Sequence, residues 1–164
     1  MAAYVSAPWS DLYVAMAGAA AALLGLLFVA VSINLEQVLR LAFLPLRAGE
    51  TLGVLVVLLA TAVFVLVPGQ SRTALGIELA ATGGLLVGLD GWLRIRQRHP
   101  ISLPARRVVV PVVIVALTGA PLVVAGATLV TGAGGGLYWT VPALLAGFAG
   151  AVVNAWVLLV EILR

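Results

Sequence analysis

Two pairs of opposite charge stand four residues apart in this amino-acid sequence, Glu36 with Arg40 and Asp90 with Arg94, and a further acid, Glu161, precedes Arg164 by three. On a helix, side chains at i and i+4 share a face, so each pair reads as a local ion pair at a helix end. Ser32, Asn34 and Asn154 lie in otherwise apolar surroundings. Carboxylates with hydroxyl and amide neighbours can relay a proton or a small cation, or act as hydrogen-bonding glue between helices. Covalent and metal chemistry have little to draw on. Neither cysteine nor lysine occurs, which removes thiolate nucleophiles, cysteine metal sites, Schiff bases and a P-loop lysine. His99 is the single histidine and stands beside Pro100, so neither a zinc or copper site nor a Ser–His pair has its partners. Phosphate loops and dinucleotide fingerprints are missing as well. The expectation is no enzyme, no cofactor and no metal.

The elements that hold these groups follow from composition. Of 164 residues, 63% are hydrophobic and 9% charged, with a mean hydropathy of +1.22. Soluble domains are about half apolar and about a quarter charged, so a bilayer is the solvent these numbers require. The apolar residues run continuously and do not alternate, which argues for helices against a β-barrel. Five stretches are long enough to cross: about 12–35, 51–67, 74–93, 108–130 and 137–163. Pro68-Gly69-Gln70-Ser71 and Gly132-Ala133-Gly134-Gly135-Gly136 mark turns, and Ser10-Asp11 can cap the first helix. The fold class is therefore all-α, a polytopic bundle of five transmembrane helices forming a single domain over 1–164. The first stretch lacks a basic n-region and is too long for a signal peptide, so it is read as an uncleaved helix.

Orientation comes from arginine. With the N-terminus outside and the C-terminus cytoplasmic, Arg40, Arg47, Arg94, Arg96, Arg98, Arg106, Arg107 and Arg164 all fall inside, and Arg72 alone falls outside. Trp9, Tyr13, Tyr138 and Trp139 then form an outer aromatic belt. The rival is a four-helix protein in which the third stretch, carrying Glu78 and Asp90, does not cross. Both carboxylates lie near the ends of that stretch, away from the midplane where a charge costs about 2.5–3.5 kcal/mol, so five spans are preferred. The pI near 10.2 reflects arginines beside apolar segments and points to a membrane surface, with no nucleic-acid partner.

Depth groups the polar residues. At ~1.5 Å per residue, Asp90 and Asn154 each lie about 24 Å from the outer ends of their helices. Ser32 lies slightly deeper in the first, followed by Asn34 near the inner surface, and Glu50 and Thr51 begin the second helix at that level. Ser32, Asn34, Asp90 and Asn154 thus form a candidate polar pathway in the cytoplasmic half. The alternative for Asp90 and Asn154 is a dry interhelical hydrogen bond. Glu36, Arg40, Arg94 and Glu161 are the interfacial charge pairs. Arg96, Arg98, Arg106 and Arg107 either contact anionic lipid headgroups or only set topology. Gly84 with Gly88, Gly147 with Ala143 and Ala151, and Gly150 with Ala146 present small faces for packing within the bundle or for homo-oligomerisation. Pro121 leaves the Leu117 carbonyl without its amide partner and predicts a kink, with Thr118 placed to compensate; Pro111 is expected in the first turn. The segment 35–46 is expected to prolong the first helix along the surface, with Leu35, Val38, Leu39 and Ala42 on one side, and to end near Pro45.

The run Gly25-Leu26-Leu27-Phe28-Val29-Ala30-Val31-Ser32-Ile33-Asn34-Leu35, with the later Pro68-Gly69-Gln70-Ser71, resembles small uncharacterised multi-pass membrane proteins of actinobacteria. The resemblance implies a bacterial cytoplasmic membrane and carries no activity with it. Two function classes fit the sequence. One is a homo-oligomeric ion channel or small-solute transporter using the polar cluster. The other is a non-conducting structural or regulatory subunit that docks to a membrane partner.

Overall fold

The computed structural model describes residues 2–40, 44–96 and 105–162. The described residues are helical almost throughout: α1 (Ser10–Ile33), α2 (Leu35–Arg40), α3 (Leu44–Leu66), α4 (Arg72–Arg96), α5 (Ala105–Thr131) and α6 (Thr140–Ile162). Short 3-10 turns precede α1 (Ala2–Tyr4, Ala7–Trp9) and α6 (Gly136–Trp139). Among the described residues, five helices are long and apolar enough to cross a membrane, and α4 is one of them despite its acids. This is the architecture of a multi-pass integral membrane protein. The outside of the bundle agrees with it. Leu26, Leu85, Leu117 and Leu145 all stand more than half exposed, a surface that water would not tolerate and lipid does.

Several boundaries differ from the sequence expectations for identifiable reasons. The chain breaks at Asn34, whose side-chain amide donates to the Ala30 carbonyl at 2.9 Å and ends α1, so Leu35–Arg40 is a separate short helix and does not prolong the first. Val38 is buried, whereas Leu35 and Leu39 are exposed; Ala42 lies outside the described residues. Pro45 sits in the opening turn of α3, where a missing amide hydrogen costs nothing, so it starts a helix and does not end one. α5 begins at Ala105, which moves Pro111 out of the first turn and into the helix. Ser10 is the first residue of α1, and no side chain caps that end.

α3, α4, α5 and α6 form a ring in which each packs on the next, and α1 leans on α3 from outside. The tightest pair is α4 with α5. A Cβ placed on Gly76 would lie 2.8 Å from the Gly126 carbonyl oxygen, and one on Gly83 would lie 2.6 Å from that of Gly119. The residue numbers in each pair have the same sum, as antiparallel helices require. In lipid, apolar attraction between helices is weak, so close backbone approach through small residues holds the pair together.

At the end of the bundle where α1 begins, Tyr13 is fully buried. It therefore belongs to the interior and not to a lipid-facing belt. Its hydroxyl shares a 2.5 Å hydrogen bond with Thr140 Oγ1, linking α1 to α6, and Trp9 stacks edge-on against Tyr138 at 4.9 Å. Thr140 also donates to the Leu137 carbonyl, so it keeps a partner if the phenol is lost. Tyr13→Phe is expected to cost about 1 kcal/mol, the net worth of one such bond, read as a small drop in Tm in detergent. The loop before α6 turns on Gly132, Gly134, Gly135 and Gly136, all at positive φ, a region that L side chains rarely adopt.

Candidate functional site

At the opposite end, where α3 begins and α4 finishes, three charged side chains meet. Arg94 reaches Asp90 through Nε at 2.7 Å and through Nη2 at 2.9 Å. The same Nη2 donates to Glu50 Oε1 on α3 at 2.6 Å. The Asp90–Arg94 contact is the i,i+4 pair that helical spacing anticipates; the Glu50 arm is a tertiary contact. The planar guanidinium fork suits this geometry, since one rigid group serves two carboxylates at once. The Glu50 and Asp90 side chains are only 7% and 10% exposed, so each depends on Arg94 to offset its lost hydration.

Beside this triad is a cavity of about 230 Å³ between α3, α4 and α5, lined by Glu50 and Asp90 together with Leu86, Leu93 and Val115 among others. Gly49 and Gly53, one turn apart on α3, also line it. A Cβ at either would meet nothing within 4 Å, so their missing side chains leave this space open.

No protein-family model matches this chain, and no curated protein or solved structure is similar to it. What the site can do is therefore argued from its own residues.

The four residues of the candidate polar pathway do not share one place. Asp90 alone among them lines the cavity. Ser32 is exposed on the outside of α1, and Asn34 is spent on its own helix end. Asn154 is 4% exposed, and its Oδ1 has no hydrogen-bond partner among the described residues. It falls on the α6 face of Gly147 and Gly150, by helical spacing. That face is turned inward: a Cβ on Gly147 would lie 3.0 Å from Leu58 of α3, and one on Gly150 would collide with Ile114 of α5.

Gly84 and Gly88 behave differently. A Cβ on either meets nothing within 4 Å, so the close contact of α4 is made by Gly76 and Gly83, with Gly84 and Gly88 turned outward. Pro121 lies within α5, which stays helical past it. Thr118 donates to the Ile114 carbonyl at 2.8 Å and so does not serve the Leu117 carbonyl. Glu36 is exposed. Arg96 places its guanidinium over the Trp92 ring at 4.9 Å. Arg98 lies outside the described residues, as do the side chains of Arg40, Arg106, Arg107 and Glu161.

Sequence reasoning placed Glu50 at the depth of the polar cluster without pairing it with Arg94. Equal depth was the available signal, and it does not say which helix faces which. Glu78, the other acid of α4, takes a 2.5 Å hydrogen bond from Gln70 near the Tyr13 end. Among the described residues, no group of three His, Cys, Asp or Glu could hold a metal ion.

Proposed function

We propose that this chain is a multi-pass protein of a bacterial cytoplasmic membrane, N-terminus outside and C-terminus cytoplasmic, that transports an ion or small solute by way of the cavity at Glu50 and Asp90. The observation that carries this function is two nearly buried carboxylates lining a half-open cavity at one end of an apolar bundle. A salt bridge kept for packing alone has no use for empty space beside it, and intramembrane acids are costly to retain. The arginine distribution supports the orientation, with eight of nine on the cytoplasmic side, where Arg96, Arg98, Arg106 and Arg107 meet anionic headgroups. A bundle this narrow forms a complete route most readily at an interface between copies, so the working unit is a homo-oligomer.

The test is flux of protons, potassium and the organic cation tetraethylammonium from proteoliposomes containing the purified chain, with Asp90→Asn beside the parent. The expected result is flux that falls about tenfold or more in the variant, which corresponds to losing about 1.4 kcal/mol at the site. Folded parent protein that gives no flux above empty liposomes would overturn transport. It would favour the second function, a non-conducting subunit of a larger membrane complex. The outward Gly84 and Gly88 face, where an added Cβ meets no described residue within 4 Å, is the observation on that side.

A further inference from the structure

The cavity's lining selects what can enter it. Among the described residues, its charged lining is Glu50 and Asp90; Arg94 holds both carboxylates yet does not line the space. Arg47, earlier on α3, adds an attraction to Glu50 and is not part of the lining either. A molecule inside therefore meets acid and hydrocarbon. Within the triad two carboxylates face one arginine, and Arg47, outside the lining, offsets part of the remaining charge on Glu50.

Anions are repelled by such a wall, and a neutral solute leaves the charge uncompensated. A bare metal cation fits no better. It would need several oxygen ligands, and here the carboxylates are already committed to Arg94 while the remaining walls are leucine, valine, proline and glycine. An organic cation satisfies both halves of the site, setting its charge against the acids and its alkyl groups against the leucines. Size narrows the choice. A cavity of about 150 Å³ holds a benzene ring, so the roughly 230 Å³ here suits about nine or ten non-hydrogen atoms. Resting on the transport function above, we infer that the cavity binds a small organic monocation, an alkylammonium or quaternary ammonium ion, seated between Glu50, Asp90 and the open faces of Gly49 and Gly53.

Isothermal titration of the purified full-length chain in detergent tests this, using tetraethylammonium as the probe and pentanoate as an anion of comparable bulk. Tetraethylammonium is expected to bind and pentanoate is not. Glu50→Gln is expected to weaken binding about tenfold or more, the loss of one desolvated charge contact. Gly53→Val keeps every charged group and fills the cavity from α3, where the added Cβ meets no neighbour. It is expected to weaken binding at least as much while helicity and elution volume stay those of the parent, so a folding defect in Glu50→Gln does not decide the outcome. Equal binding of pentanoate, unchanged affinity in Gly53→Val, or no tetraethylammonium binding by folded parent would each overturn the inference. Asp90-dependent proton or potassium flux without tetraethylammonium binding would remove this ligand class and leave transport standing. Binding that is lost in Gly53→Val, in a chain that moves neither protons, potassium nor tetraethylammonium, would support the cation site and remove transport.

Discussion

Arg94→Met is expected to destabilise the bundle by about 3–5 kcal/mol, the usual result of removing one partner from a buried ion pair. Methionine keeps much of the stem's volume and removes all three hydrogen bonds that the guanidinium makes to Asp90 and Glu50. Two carboxylates would then face each other at 7% and 10% exposure with no arginine between them. The loss would be read as a large fall in Tm in detergent. Adding Glu50→Gln and Asp90→Asn to the same variant should recover most of it, because the penalty comes from the stranded charges more than from a missing attraction. Arg94→Lys should fall between, since an ammonium cannot present the flat fork that spans two acids. A Tm for Arg94→Met within a degree or two of the parent would show that the triad is wet and weak.

The second large effect separates two neighbouring glycines of α4. Gly83→Ala is expected to cost about 1–3 kcal/mol, as overpacking usually does. Its Cβ would sit 2.6 Å from the Gly119 carbonyl oxygen and 2.8 Å from Leu122 Cβ. The obstacle is a facing backbone, which cannot swing aside as a flexible side chain would, so α4 and α5 must part. Gly84→Ala has the opposite expectation. Nothing lies within 4 Å of its Cβ, and alanine favours the helix by up to about 1 kcal/mol over glycine, so Tm should hold or rise. Thermal unfolding of the two variants side by side checks both signs, and a destabilised Gly84→Ala with an unaffected Gly83→Ala would reverse the assignment of the α4 faces.

This contrast shows what could be read in the chain before the fold was known. Gly84 and Gly88 have the spacing of a helix-packing motif, and so do Gly49 and Gly53. Yet the first pair looks outward and the second opens a cavity, while Gly76, Gly83, Gly119 and Gly126 make the close contact. Spacing defines a stripe on a helix and leaves the rotation of that helix undetermined. In a soluble protein the polar face resolves the rotation. In α4 and its neighbours both faces are apolar, because lipid covers one and protein the other, so the pattern carries no inside or outside.

The same division applies to the site. Asp90 and Arg94 were legible as a pair because four residues along a helix bring them together whatever else the chain does. Glu50 lies 44 residues from Arg94, and only the packing of α3 on α4 joins them. Tyr13, expected at a lipid interface, instead reaches Thr140 across 127 residues for the same kind of reason. By itself, then, the sequence determined helical spans and their number. Crossing a bilayer is a local matter of about 20 apolar residues in a row, with every backbone hydrogen bond made inside the segment. Tertiary structure alone decided which glycines touch, which acid shares Arg94, and where space is left beside it, because each depends on the mutual rotation of helices whose surfaces look alike from every side.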